Sequence, residues 1–507
     1  MMGGACSRKR DQQVNEDSGN RGIYGRYCKS GSSKWLGNSI SRLAVDNKQG
    51  KTKCPSLMEL CIYKIREDID KYSSFSMLPR DISQQIFNEL VYSQCLTEVS
   101  LGAFRDCALQ DLDLGEYPGL EDSWMDVISS QELSLLSVDL SGSDVTDSGL
   151  IHLKNCTNLQ AMNFNYSDQI SDHGLEHISG LSNLATLSFR RNNQITAQGL
   201  SVLSGLVNLL KLDLERCPGI HGGLVHLKGL TKLESLNIKC CNCITDADMK
   251  PLSGLTNLKE LQISSSKVSD YGVTFLKGLH KLSLLNMEGC PITAACLDCL
   301  AGLTNLETLN LDSCRIDDEG LVNLTGLTSL VSINLSFTVV TDSGLKKLAG
   351  LASLTSLNLD ARQITDAGLA SLTSLTGLMH LDLFGARITD SGTNYLKNFK
   401  NLRSLEICGG GLTDAGVKNI KDLSSLTVLN LSQNNNLTDK TLELISGLTQ
   451  LVSLNVSNSR ITTAGLQHLR SLKNLKSLNL DSCKVTAYDI EKLQSTDLPN
   501  LVSFRPE

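Results

Sequence analysis

Two hydrophobic rhythms alternate along most of this chain. In "LETLNLDSCRIDDEGLVNLTGLTS", from Leu306, an LxxLxL stretch sets apolar residues two apart, and a later GLxxLxxL sets them three apart. The first spacing predicts a short strand with one buried face, and the second a helical or 3₁₀ turn. The same switch returns in "LTSLNLDARQITDAGLASLTSLTG" from Leu354 and "LVSLNVSNSRITTAGLQHLRSLKN" from Leu451. Aligned on the first leucine, units of 24 or 25 residues start at Leu135, Leu159, Leu184, Leu209, Leu233, Leu258, Leu282, Leu306, Leu330, Leu354, Leu378, Leu402, Leu426, Leu451 and Leu475. A poorer unit begins at Leu109, and "LVSF" at Leu501 reads as a strand that the chain never completes, so about 15 to 16 repeats are expected over residues 109–507.

One such unit cannot fold alone. Burying a leucine is worth roughly 1.5–3 kcal/mol, while ordering each residue costs about 1–2 kcal/mol. Stacked units share one core, so the pattern predicts an α/β solenoid, with a curved parallel sheet inside and helices outside. Between the two halves of a unit, "ITD" supplies an inward Ile or Val, a helix-capping Thr or Ser, and an Asp suited to the helix amino end, as at Thr365 and Asp366. The glycines of "TDxGL" are expected to allow close packing between units.

Strand alternation sends the fourth and sixth positions inward and the third, fifth and seventh to the concave face. Position five is mostly amide, from Asn163 through Asn237, Asn286, Asn310, Asn334, Asn358, Asn430 and Asn455 to Asn479, with Asp113, Asp139, Asp213 and Asp382 elsewhere. Such a ladder reads either as hydrogen bonding between neighbouring strands or as a polar floor for a protein ligand. Two groups interrupt it. Phe337, His380 and Phe384 place rings beside Asp360 and Asp382, and Arg190, Arg191, Lys211, Glu215, Arg216 and Lys239 form a charged cluster nearer the amino terminus. Either is a candidate target-binding patch or an ordinary solvated face.

Composition narrows the picture. With 507 residues, length alone suggests about three domains, but only 4% are aromatic, which favours one aliphatic repeat array. A net charge of −7 offers no general attraction to nucleic acid or anionic membranes. No apolar run is long enough to span a bilayer. Seventeen cysteines, an odd number, point to a reducing cytoplasm or nucleus. "CLDC" (Cys296, Cys299) and Cys240, Cys241 and Cys243 do not stack as the two pairs that zinc requires, and the histidines are scattered. No metal, cofactor, phosphate loop or enzymatic chemistry is expected.

Residues 1–53 read as a disordered polar tail. Within it "MGGACS" fits a myristoylation signal with Gly3 as acceptor, Ser7 favourably placed, Cys6 available for a second acyl chain, and Arg8, Lys9 and Arg10 following. Initiation at Met1 would leave Gly3 internal, so peripheral membrane attachment and an ordinary flexible start both stand. Residues 54–108 hold two amphipathic helical patterns, "SLMELCIYKIREDI" and "LPRDISQQIFNELV", which would at least cap the first repeat.

Residues 109–507 resemble the leucine-rich repeat family, in the cysteine-containing form found in F-box/leucine-rich repeat proteins. That resemblance makes Cys217, Cys241, Cys290, Cys314 and Cys483, at the ninth position of their units, buried turn residues. "LPRDISQQIFNEL" looks like the start of an F-box, though "VYSQCLTEVSLGAFRDC" after it lacks the expected basic-Trp ending. Ser56, Leu57, Cys61 and Ile65 match an elongin C-binding box, and Leu78, Pro79, Ile82 and Ile86 match the cullin-selecting box that follows it in VHL-box proteins. The resemblances imply a non-catalytic, SCF-like substrate receptor of a cullin-RING ubiquitin ligase. Its partners would be a Skp-type or elongin C adaptor, a cullin, and a protein substrate for degradation. The alternative is an interaction scaffold with no ligase role, with or without a membrane tether.

Overall fold

In the computed structural model, residues 54–505 are described apart from Ala361; the lipidation candidates Gly3 and Cys6 lie outside the described residues. The chain divides into two compact units, residues 1–59 and Leu60–Glu507. Ser56 begins a helix, α1 (Leu57–Glu67): its hydroxyl accepts from Glu59 N (3.2 Å), and its own N–H donates to the Glu59 carboxylate. The sequence placed a boundary between residues 108 and 109. By compactness the cap from Leu60 onward groups with the repeats.

In that unit the repeats form one parallel sheet of seventeen strands, each three residues long. Every strand falls at the third to fifth positions of its repeat, from Asp111–Asp113 to Ser503–Arg505, so the partial motif at Leu501 does form a strand. Pairing is in register: Ser332, Ile333 and Asn334 lie opposite Ser356, Leu357 and Asn358. Fourth- and sixth-position residues, such as Leu309 and Leu311, are buried. Short α or 3₁₀ segments complete each repeat, and helical segments pack on those of neighbouring repeats. A parallel sheet is ordinarily covered on both faces; here one face carries the polar third and fifth columns.

Two ladders of side-chain bonds fasten repeat to repeat. At the ninth position, Cys217, Cys241, Cys290 and Cys314 are buried, and each thiol donates to the sixth-position carbonyl of the preceding repeat, Cys217 to Phe189 O at 3.1 Å and Cys314 to Met287 O at 3.2 Å. Ser167 and Asn434 make the same bond with a hydroxyl and an amide. Cys483 is only partly buried, and its thiol lies 3.5 Å from Val456 O. Burial pushes the Cys217 and Cys314 thiols up to about 12, and raises Cys241 and Cys290 as well.

The second ladder corrects the expected role of the "ITD" aspartate. The Thr does cap its helix: Thr365 Oγ1 accepts from Ala367 N (3.3 Å). The Asp, however, reaches the next repeat, where one carboxylate oxygen accepts the cap N–H and the other its hydroxyl, as Asp342 does with Thr365 (N–H at 2.8 Å). The contact demands glycine one turn on, because a methyl at Gly368 would collide with Asp342 Oδ1.

The amino-terminal helices close the open edge of this array. In α2 (Arg80–Tyr92), Gln84 takes the place of a missing strand: its Oε1 accepts from Gln110 N (3.0 Å) and Asp111 N (3.2 Å), and its Nε2 donates to Asp111 O (2.7 Å). Unpaired edge groups invite association, and this amide satisfies them. Behind it Phe75, Phe87 and Phe104 pack with ring centroids 4.9 and 5.5 Å apart, and Arg66 of α1 pairs with Glu89 of α2 at 2.6 Å.

Candidate functional site: the open sheet face and the amino-terminal helices

The seven residues proposed for adaptor docking separate by exposure. Ile86 is fully buried in the cap, and Ile65 and Ile82 pack partly against the same core. Ile86 therefore serves the cap, because α2 turns that side toward the core, while Ile65 on α1 and Ile82 on α2 remain half-exposed. Leu57 is 78% exposed, and Cys61, Leu78 and Pro79 are exposed as well. Leu60, one turn from Leu57 along α1, is also exposed and was not singled out.

On the sheet face, the position-five side chains turn out to serve their own repeats first. The Asn and Asp oxygens accept the N–H two residues on in most repeats, as Asn310 Oδ1 does from Asp312 N (3.0 Å) and Asp213 Oδ1 from Glu215 N (2.9 Å). The amide nitrogen is left to cross between strands, and it finds acids: Asn163 Nδ2 donates to Asp139 Oδ2 (2.8 Å) and Asn430 Nδ2 to Glu406 Oε2 (2.9 Å). The column is thus a series of local turns joined at intervals, rather than one amide-to-amide ladder.

The eighth position was missed by pattern reading. Its backbone is left-handed in repeat after repeat, because its N–H must reach the seventh-position carbonyl of the following repeat; Arg191 N donates to Glu215 O at 2.7 Å. Glycine, serine or asparagine fills many of these places, as at Gly142, Ser265, Ser313 and Asn458. Tyr166, Arg191, Arg216 and Phe337 hold φ of 60°, 57°, 60° and 54° with large side chains. A left-handed backbone costs an L-residue about 1–2 kcal/mol. The only sequence signal was their bulk in a column otherwise rich in small residues.

The aromatic patch is partly realised. Phe337 is 52% exposed and His380 is exposed, while Phe384 and Asp382 are half-buried. Asp360, by contrast, is buried, at 6% exposure. The charged cluster is organised in two tiers. Arg190, at 34% side-chain exposure, pairs with Asp213 (2.9 Å) and Glu215 (3.3 Å). Burial costs the Arg190 guanidinium, but those two carboxylates outweigh it and hold its pKa above the ordinary value. Above this floor, Arg191 lies over the Tyr166 ring at 5.6 Å, and Arg216 Nε stands 3.8 Å from Glu215. Lys211 is exposed and Lys239 half-buried beside them.

The "CLDC" thiols also part company, Cys296 buried and Cys299 half-exposed. No helix among the described residues is long and apolar enough to cross a membrane.

Models of the leucine rich repeat match residues 231–292 and 400–461, and a second Leucine Rich repeat model matches 133–153, 302–324 and 326–349. No curated protein is significantly similar. Among solved structures, a leucine-rich repeat protein of Leptospira interrogans superposes with a TM-score of 0.52 at 20% identity, over 75% of this chain and 97% of that one. An internalin of Listeria monocytogenes gives 0.42 at 26% identity, over 74% and 88% of the two chains. The functional domain of another Listeria monocytogenes protein, described as including a cysteine ladder, gives 0.49 at 21% identity over 82% and 81%.

Proposed function

Since the chain is a leucine-rich repeat protein, we propose that it is a non-catalytic receptor whose open sheet face binds a target protein. The observation that carries this reading is the contrast on that face between fastening and projection. Backbone and ladder bonds hold every repeat in register, while Phe337, His380 and the Arg191–Arg216 rim project from it. A surface held in advance loses little freedom when a partner arrives, so its contacts are spent on affinity. Fifteen free cysteines among the described residues suit a reducing compartment, cytoplasmic or nuclear.

A second reading, that the receptor serves a cullin-RING ligase, is favoured by the exposed Leu57, Cys61, Leu78 and Pro79, which match the adaptor-box patterns. In this reading α1 and the Leu78–Pro79 turn contact a Skp-type or elongin C adaptor, while Ile82 and Ile86 cap the repeats. The ligase partners would carry all the chemistry, and the receptor would raise the local concentration of substrate. Co-purification from native cells with wild type, Leu57→Asp and Phe337→Ala/His380→Ala chains tests both. Adaptor and cullin recovered with wild type and lost with Leu57→Asp support the ligase reading. A target protein lost only with the sheet-face variant supports the receptor, and a target held equally by all three chains contradicts it.

A further inference from the structure

We infer that the rim built by Tyr166, Arg191 and Arg216 binds a carboxylate side chain in an acidic peptide segment of the target; this deepens the receptor reading above and rests on it. These three residues stand at the eighth position of successive repeats, with φ of 60°, 57° and 60°. Backbone bonds from Tyr166 N to Arg190 O (2.8 Å), Arg191 N to Glu215 O (2.7 Å) and Arg216 N to Lys239 O (2.9 Å) hold them side by side. The fold needs the left-handed turn and not the bulk, since Ser265 and Ser313 fill the same place in other repeats. The left-handed turn serves the fold, whereas the bulk at these three positions, which the turn does not require, lines the surface.

Together with Asp168 and Asn193 the three residues line one open depression. The charges around it sort by commitment. Arg190 is held by Asp213 and Glu215 beneath the rim, and Arg216 approaches Glu215 only at 3.8 Å. Arg191 lies over the Tyr166 ring, a cation–π contact that does not consume the guanidinium N–H donors. Two arginines line the depression against Asp168, and Glu215, already held by Arg190, reaches Arg216 only at 3.8 Å, so the positive excess there is at most one charge, which suits one carboxylate. A dianionic phosphate would meet Asp168 uncompensated, and a polyanion would meet a chain of net charge −7. Tyr166, 45% exposed, offers the apolar wall against which an aliphatic stem can lie.

The test uses the full chain and four fluorescein-labelled probes: a Gly/Ser peptide carrying two central Glu, the same peptide with Gln, with phosphoserine, and a single-stranded DNA oligonucleotide. The Glu peptide is expected to bind at least about ten-fold more tightly than the Gln peptide, and to lose that advantage in Arg191→Ser/Arg216→Ser. Serine is native to this column, so circular dichroism should be unchanged, and Lys400→Ser, an exposed charge elsewhere, should leave binding unaltered. Equal binding of Glu and Gln peptides, stronger binding of phosphoserine or DNA, or an unaffected double variant overturns the inference. A target that co-purifies with wild type and is still retained by Arg191→Ser/Arg216→Ser also overturns it, while leaving the receptor standing. Conversely, Glu-selective binding by a chain that recovers no target from cells would uphold the rim and count against the receptor.

Discussion

From Asp318 to Thr462 the helical side of the array carries an unbroken series of carboxylates, each holding the cap of the next repeat: Asp318 to Thr341, then Asp342, Asp366, Asp390, Asp414 and Asp439 in turn. Between Thr196 and Thr245 the series lapses. Ala197 follows Thr196, and the next repeat has His221 and Gly222 where a Thr–Asp pair would stand. There Asp248, almost wholly buried, reaches back instead to His221 Nδ1 (2.9 Å) and Gly222 N (2.6 Å). The lapse falls in the same repeats as the Arg191–Arg216 rim. In the regular run nearly every distinctive side chain is consumed in fastening neighbours. Where the pattern relaxes, a one-off bond substitutes for the ladder, and the sheet face acquires its most individual residues. The Arg191–Arg216 rim thus arises where the fastening lapses, whereas Phe337 and His380 project within the regular run.

The contrast can be broken most severely in the regular run. Leu309→Asp puts a charge where a leucine is 1% exposed, and should cost at least about 4 kcal/mol. Because each repeat is half of its neighbour's core, proteolysis should spread well beyond residues 306–329; cleavage confined there would refute the shared core. Gly368→Ala should cost about 2–3 kcal/mol by denaturant titration, because the new methyl displaces Asp342 from both of its bonds to Thr365. Gly350→Ala, with open space around it, should be nearly silent.

At the lapse, Asp248→Asn keeps the shape and one acceptor but removes the charge shared by His221, Gly222 and Thr245, and about 1–2 kcal/mol should be lost. A loss as large as that from Gly368→Ala would show that the substitute bond is as stringent as the ladder. The smallest effect concerns the ninth-position thiols. Burial raises Cys217 from 9.0 to about 12, so the folded chain holds a proton that the unfolded chain releases first. The contribution is whole below pH 9 and is lost as pH rises from there toward 12. The melting temperature should therefore begin to fall above pH 9, and less steeply in Cys217→Ser/Cys314→Ser, because serine makes the same bond at Ser167 without titrating.

Much of this was legible in the chain. LxxLxL located all the strands, even the partial one at Leu501, because a period of two with one apolar face admits few other conformations. The "TDxGL" glycines were readable as close contacts, but not what they contact. Asp342 and Thr365 stand 23 residues apart, and a local reading assigned the aspartate to its own helix end. Ile86 and Leu57 looked equivalent as apolar residues of amphipathic helices, yet one is buried and the other exposed. Helical periodicity shows that a face is apolar without saying what covers it.

By itself the sequence determined the repeat, its register and its inward leucines, since these follow from local spacing and from the need of every unit for a neighbour. Tertiary structure decided the rest: that Gln84 closes the sheet edge, that the aspartates bridge repeats, that Asp360 is buried, and that Tyr166, Arg191 and Arg216 share one rim. Those relations join residues about one repeat apart through hydrogen bonds and packing. Their geometry exists only once the units have stacked.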